Sequence, residues 1–385
     1  MARDRDTDAC PGALQVHQAA DGALARIRLP GGMLTAAQLH ALCDVALEYG
    51  SGTLELTARG NIQIRGITDT SAVIPMLTTA GLLPSASHER VRNIVASPLS
   101  GRCGGLADVR PWVTSLDQAI CADPVLAGLS GRFCFGLDDG RGDVSGLGAD
   151  VGVQVLPHDP GDDGSGVVAL LLAGRDTGVR LTPNEVVPRL VELARRFVEI
   201  RGTAWRVGEL EDPAALLDDA ATLSAGLFSP PALTAPVGWI DQDQPGLVTL
   251  GAAVPAGVLP ERVGRYLAAI EAPLVITPWR SVLVCDLDES VADVALRVLA
   301  PMGLVFDENS PWLRVSSCTG SPGCAKSAGD VRGDLTSMVN AELAAELNDR
   351  PGVHRHFVGC DRACGSPPSA EVLVTDGNGY RVLRS

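Results

Sequence analysis

Thr57-Ala-Arg-Gly-Asn-Ile-Gln-Ile64 returns in altered form as Thr277-Pro-Trp-Arg-Ser-Val-Leu-Val284, and ahead of each lies a second matched pair, Gly32-Met-Leu-Thr35 and Gly257-Val-Leu-Pro260. Around the first copy, residues 22–34 read as a strand closed by Gly31-Gly32, and Thr35 as the N-cap of a helix through about Leu47. Gly50-Ser51-Gly52 breaks that helix, and Leu54, Leu56, Ile62 and Ile64 alternate as strand positions on either side of Arg59-Gly60. Around the second copy, 246–254 is a strand, Gly257 to Pro260 opens a helix to about Ile270, and 274–287 supplies further strand. The chain therefore carries an internal repeat of strand, helix and strand pair. One such half exposes a sheet edge and an apolar face, whereas two halves bury both against each other.

Each half is followed by a longer α/β stretch. After the first come helices at about 70–80 and 115–127, strands at 131–138, 150–156 and 166–173, and a helix from Asn184 to about Ile200. In that last helix Val186, Val187, Leu190, Val191, Ala194, Phe197 and Val198 follow a 3.6-residue period. Residues 137–164 hold seven acids and one arginine among many glycines and predict solvated hairpin loops. After the second half come helices at about 290–300 and 331–347 and a strand at 353–358. The expected divisions are a polar leader (1–20), the first half-repeat (21–85), an α/β domain (86–225), the second half-repeat (236–290) and a final α/β domain (291–385).

The 385 residues carry 31 Lys+Arg against 46 Asp+Glu, a net charge of −15, which excludes a bulk nucleic-acid binder. The charge is uneven. Residues 56–102 hold five arginines against Asp69 and Glu89, while 207–220 hold five acids and no Lys or Arg, so the acidity reads as belonging to outer loops around a small basic site. The polar start has no apolar run behind it, and the best apolar run, Val167 to Ala173, is far too short to cross a membrane. The expectation is a cytoplasmic protein with no membrane or nucleic-acid partner.

Ten cysteines without an export signal read as thiols or metal ligands. Cys10, Cys43, Cys103, Cys121, Cys134 and Cys285 are scattered, as small core residues are. The other four form Cys318-Thr-Gly-Ser-Pro-Gly-Cys324 and Cys360-Asp-Arg-Ala-Cys364. A five-residue gap fits zinc knuckles poorly. Four thiolates on Gly/Pro-rich loops suit a [4Fe–4S] cube, whose sulfurs accept backbone N–H bonds, with structural zinc and unrelated buried thiols as the alternatives.

Together the two cysteine loops, the repeat and the motifs around Arg59 make the chain, from about residue 20 to 380, resemble the sulfite/nitrite reductase superfamily. The resemblance implies an α/β (α+β) fold of two ferredoxin-like half-repeats, each followed by a sirohaem/Fe–S-type α/β domain. Cys318, Cys324, Cys360 and Cys364 would hold the cluster, with Cys364 able to bridge to a sirohaem iron. It further implies that Arg59 and Gln63, in Thr57-Ala-Arg-Gly-Asn-Ile-Gln63, and Arg92 and Asn93, in Val91-Arg-Asn-Ile94, face a tetrapyrrole. Leu129-Ser-Gly-Arg-Phe-Cys-Phe135 stands where the reductases carry Lys-Phe-Lys, so Arg132 keeps a cation and Cys134 replaces the second lysine. Guanidinium suits such places because it grips carboxylates with two parallel N–H bonds and stacks on flat π-surfaces.

With one lysine lost, the anion pocket needed for six-electron reduction is incomplete. The cysteine loops and Thr277-Pro-Trp-Arg280 resemble more closely the branch that takes a sirohaem-like macrocycle as substrate. What this implies is an O2-dependent monooxygenase of aerobic cobalamin biosynthesis, hydroxylating the meso carbon of precorrin-3A between rings A and D while a ring A acetate closes a γ-lactone. A mononuclear non-haem iron is implied as well, and His354 and His356, on one face of the strand leading to Cys360, are its candidates, with a structural hydrogen bond as the competing reading of His356. Trp279 reads as a buried repeat-interface residue. Gly146-Leu-Gly-Ala-Asp-Val-Gly152 is one residue too long for a dinucleotide fingerprint, so electrons come from a separate donor, a ferredoxin or an NAD(P)H-dependent reductase. The alternatives are a sirohaem-dependent assimilatory sulfite or nitrite reductase and a non-catalytic Fe–S or zinc module that binds a tetrapyrrole or a partner.

Overall fold

A computed structural model describes residues 8, 10–157, 166–217, 223–224, 235–339, 353–367 and 370–384. The first half-repeat comprises β1 (His17–Ala19), β2 (Gly22–Ile27), β3 (Met33–Leu34), α1 (Ala36–Tyr49), β4 (Thr53–Leu56), β5 (Ile62–Ile67) and α2 (Thr70–Thr79). There follow β6 (Ile94–Ala96), α3 (Arg110–Ala122), β7 (Phe135–Asp138), β8 (Val151–Val155), β9 (Val168–Leu172), β10 (Arg175–Leu181) and α4 (Val186–Ile200). The second half-repeat comprises β11 (Gly238–Asp241), β12 (Leu247–Ala253), β13 (Val258–Pro260), α5 (Glu261–Ala268), β14 (Leu274–Ile276), β15 (Ser281–Asp288) and α6 (Glu289–Leu299). The chain ends with β16 (Val315–Ser317), α7 (Val331–Val339), β17 (Arg355–Val358), β18 (Glu371–Thr375) and β19 (Tyr380–Arg384).

The two half-repeats are interlocked by their shortest strands. One sheet has the order β1-β2-β5-β4-β13 and another β11-β12-β15-β14-β3, so each half lends a strand to the edge of the other's sheet. The registers are equivalent: Leu34 pairs with Leu274, and Leu259 with Leu54. Both lent strands follow the same turn, in which Gly31 and Gly32 (φ 63° and 70°) correspond to Ala256 and Gly257 (φ 53° and 69°). α1 starts at the expected cap, Thr35, whose hydroxyl accepts the Gln38 N–H while the Gln38 side chain returns the bond. Leu39, Leu42 and Val45 of α1 and Val263 and Leu267 of α5 join both sheets in one apolar core.

A third sheet, β10-β9-β8-β7-β6, is covered by α3 and α4 around Phe133, Phe135 and Phe197, and a fourth, β16-β17-β18-β19, carries the cysteine loops. α3 begins five residues earlier than expected, with Pro111 in its first turn, and gives way at Asp123-Pro124. The expected helical residues 340–347 lie outside the described ones. Among the described residues no helix is long and apolar enough to cross a membrane.

The acidic stretch is a correction. Asp138, Asp139 and Asp150 are at most 1% exposed, so this segment is not a set of solvated loops. Asp138 accepts N–H bonds from Gly140, Gly142, Val144 and Ser145 at 2.9–3.0 Å, and Asp150 accepts them from Cys134 and Val207 at 2.8 and 2.7 Å. These carboxylates build the turns after β7 and before β8 by satisfying buried donors. Asp159, Asp162 and Asp163 lie outside the described residues.

Candidate functional site

The only charged residues of β2 and the position just after it are Arg26 and Arg28, which, two apart in extended chain, share a face. The Arg26 guanidinium donates to Gln63 Oε1 on the paired strand β5. Arg28 is 2% exposed and donates to the carbonyls of Arg90 (3.2 Å) and Pro11 (3.3 Å), while its Nη1 is buried without a partner. Burial pushes both guanidinium pKa values down, Arg28's to about 9, and repulsion among Arg26, Arg28 and Arg59 adds to it. The Arg59 side chain, in the β4–β5 turn, has no hydrogen-bond or ion-pair partner among the described residues. Arg132 is exposed and its guanidinium lies 5.1 Å from the centroid of the Trp205 ring.

The other expected tetrapyrrole contacts serve the protein. Arg92 is held bidentately by Asp117 at 2.6 and 2.7 Å. Asn93, 1% exposed, donates to the carbonyls of Arg90, Gly131 and Phe133 and accepts from Asn61, while Gln63 accepts from Arg26 and donates to Glu55. Arg92 Nε and Nη2, the Asn93 amide and Gln63 Oε1 are thus engaged within the protein. Cys134 is buried, its N–H bonded to Asp150, and burial pushes its thiol up despite Arg59 and Arg28 nearby. The position therefore offers a neutral thiol between cations.

β16 and β17 run parallel and deliver their cysteine loops to the same end of their sheet. Cys318, Cys324 and Cys360 are half-buried and Cys364 exposed, all as free thiols. Desolvation, then charge repulsion from Cys318, Cys360 and Cys324, raises the Cys364 thiol. Cys318 Sγ accepts the Gly359 N–H at 3.3 Å. Four thiols on two loops at one end of a sheet, one of them receiving a backbone N–H, fit an iron–sulfur cube.

His356 is fully buried beneath this end. Its Nε2 lies 3.0 Å from the Cys364 carbonyl and its Nδ1 2.8 Å from Ser316 Oγ, which is also 2.8 Å from His354 Nε2. A carbonyl only accepts, so His356 carries its proton on Nε2 and takes one from Ser316 at Nδ1. Burial, then Arg280, pushes His354 to about 4 and His356 to about 3, leaving both neutral at pH 7. With both its nitrogens engaged, His356 is a poor iron ligand, and the pair does not fit a mononuclear iron.

A precorrin-3B synthase from Sinorhizobium sp is 30% identical to this chain over 97% of it and 82% of the relative. The chain belongs to the precorrin-3B synthase family. That family lies within the sulfite/nitrite reductase superfamily: the nitrite/sulfite reductase ferredoxin-like half domain matches residues 17–73, and a ferredoxin–nitrite reductase from Synechococcus elongatus is 26% identical over 91% of the chain and 75% of the relative. A solved structure of the Mycobacterium tuberculosis NirA protein superposes with a TM-score of 0.77 at 19% identity, covering 94% of this chain and 74% of that one, which shows the shared fold. As a precorrin-3B synthase family member the chain is an oxidoreductase of this fold.

In this family member, sequence reasoning passed over Arg26 and Arg28. The available signal was two arginines two residues apart in Ala23-Leu-Ala-Arg-Ile-Arg28, an extended segment with no acid of its own.

Proposed function

We propose that the chain is a precorrin-3B synthase that hydroxylates precorrin-3A with O2 at the meso carbon between rings A and D, with γ-lactone closure by the ring A acetate. The observation that carries this reading is the group Arg26, Arg28, Arg59 and Arg132, to which no carboxylate is bonded among the described residues. A group of cations around the buried Arg28 without a counter-charge favours one from a ligand, and a macrocycle ringed by acetates and propionates supplies it. Arg59 and Arg132 grip its outer carboxylates, and Arg26 and Arg28 set the field beneath them. Arg92, Asn93 and Gln63 position this frame through Asp117, the 131–133 carbonyls and Arg26. Cys134 keeps the pocket less cationic than reduction of a small anion needs.

Cys318, Cys324, Cys360 and Cys364 hold a [4Fe–4S] cluster, which when bound supplies single electrons. Two electrons and two protons reduce the second oxygen atom of O2 to water, and their source is a separate ferredoxin or NAD(P)H-dependent reductase. The test is to purify the protein anaerobically, reconstitute it with iron and sulfide, and record its spectrum. A cluster shoulder followed by O2-dependent conversion of precorrin-3A supports the synthase. Sirohaem bands with sulfite or nitrite turnover would replace it by a reductase, and zinc without iron would exclude both.

A further inference from the structure

Gly60 and Arg280 occupy the same position of the two half-repeats, three residues after Thr57 and Thr277. Both adopt left-handed backbone, with φ of 65° and 57°. Glycine takes this conformation without cost and arginine does not, so the second repeat sustains local strain where the first avoids it. Room is made for the side chain: a Cβ on Gly257 would lie 2.7 Å from Arg280 Cδ. The side chain then runs to the second cysteine loop, where Nη2 donates to the carbonyl of Gly365, the residue after Cys364, at 3.0 Å.

The first half-repeat makes the counterpart contact through another residue. Arg65 Nη2 donates to the Gly323 carbonyl, just before Cys324, at 2.6 Å. Each half thus hands one guanidinium to a carbonyl adjoining a cysteine. Their charges differ. Arg65 is held bidentately by Asp21 at 2.9 Å and lies 3.8 Å from Glu55, so its charge is compensated. Arg280 has no ion-pair partner among the described residues, and Glu55, the acid acting on it, is itself taken by Arg332 at 2.6 Å. Burial, then Arg332, lowers its pKa to about 10, so it stays charged at neutral pH.

We propose that Arg280 is a positioning residue that locks the Cys360–Cys364 loop and holds the reduction potential of the cluster at a more positive value, and that Arg65 serves the first loop by position alone. This rests on the cluster reading above. Reduction, [4Fe–4S]2+ + e− → [4Fe–4S]+, adds a negative charge, which an uncompensated, half-buried cation stabilises and a neutralised one hardly affects.

The experiment compares Arg280→Gly, Arg280→Lys and Arg65→Met with wild type in the reconstituted full chain, by potentiometric titration read by EPR and by the rate of cluster loss. Arg280→Gly installs the residue that the other repeat carries at this φ, so it relieves the backbone, and circular dichroism checks that it folds. The expected result is a midpoint shifted to more negative values in Arg280→Gly, largely restored in Arg280→Lys. Arg65→Met should lose its cluster several-fold faster with its midpoint unmoved. An unmoved midpoint in Arg280→Gly, or an equal shift in Arg65→Met, overturns the proposal. A wild-type chain that takes up no cluster overturns the cluster reading itself.

Discussion

Arg332 of α7 reaches across 277 positions to the Glu55 carboxylate of β4 at 2.6 Å, tying the cysteine-bearing end of the chain to the first half-repeat. Glu55 is 4% exposed, accepts from Gln63 at 3.2 Å and lies 3.8 Å from Arg65. Removing this one carboxylate leaves Arg332 without its anion, while Arg65 keeps Asp21. Glu55→Gln is therefore expected to cost about 1–3 kcal/mol in urea unfolding, and Arg332→Met at least as much, because it leaves the buried Glu55 carboxylate with only Arg65, 3.8 Å away, as counter-charge. A loss under about 1 kcal/mol for Glu55→Gln would mean that the network is solvated like a surface pair.

The cysteines divide by environment. Cys360 lies on a loop that leaves the same end of its sheet as the Cys318–Cys324 loop, whereas Cys134 is buried and its thiol is pushed up by burial. Cys360→Ser is expected to abolish cluster absorption after reconstitution, and Cys134→Ser to leave it intact. Loss of the cluster in the Cys134 variant would show a different ligand set.

Asp143 gives a pH signature. Burial pushes its carboxyl up to about 7, Asp138 and Asp139 add to the rise, and Ser97, donating at 2.6 Å, and Arg141 oppose it. The folded state holds the proton more tightly than the unfolded chain, whose carboxyl titrates at about 4. The stability this contributes is complete below that value and is lost as pH rises through 7. Asp143→Asn stays neutral throughout. Between pH 5 and 8 it should gain on wild type by about 1 kcal/mol or more, since a tenfold difference in proton affinity between the folded and unfolded states is worth about 1.4 kcal/mol. Urea midpoints with the same pH slope in both proteins would reject this.

The repeat was legible because its turns leave local marks: Thr35 caps α1, and Gly32 and Gly257 recur before the strands that the halves exchange. The exchange itself was not, since Leu34 against Leu274 and Leu259 against Leu54 are long-range pairings that neither local pattern encodes. The cysteine loops declared themselves by spacing. The fate of the charges did not, because burial of Asp138 or Asp150 depends on backbone donors contributed by turns, and occupation of Arg92 depends on Asp117 arriving from α3. Motif position identified arginines, and only partners in space separate those that hold the frame from those left free.

Arg28 and Arg92 make that separation measurable. Arg28→Met removes a buried guanidinium whose Nη1 has no partner, and keeps most of its volume. Relief of the desolvated charge should outweigh the two long bonds to the Arg90 and Pro11 carbonyls and raise stability by about 1 kcal/mol or more. The same variant should bind uroporphyrin III, an octacarboxylate tetrapyrrole, about tenfold more weakly in fluorescence titration, equivalent to about 1.4 kcal/mol. Arg92→Met should do the opposite, losing stability because Asp117 is stranded and keeping its affinity for the porphyrin. Unchanged binding by Arg28→Met would remove Arg28 from the ligand's field, and weakened binding by Arg92→Met with unaltered stability would return Arg92 to the site.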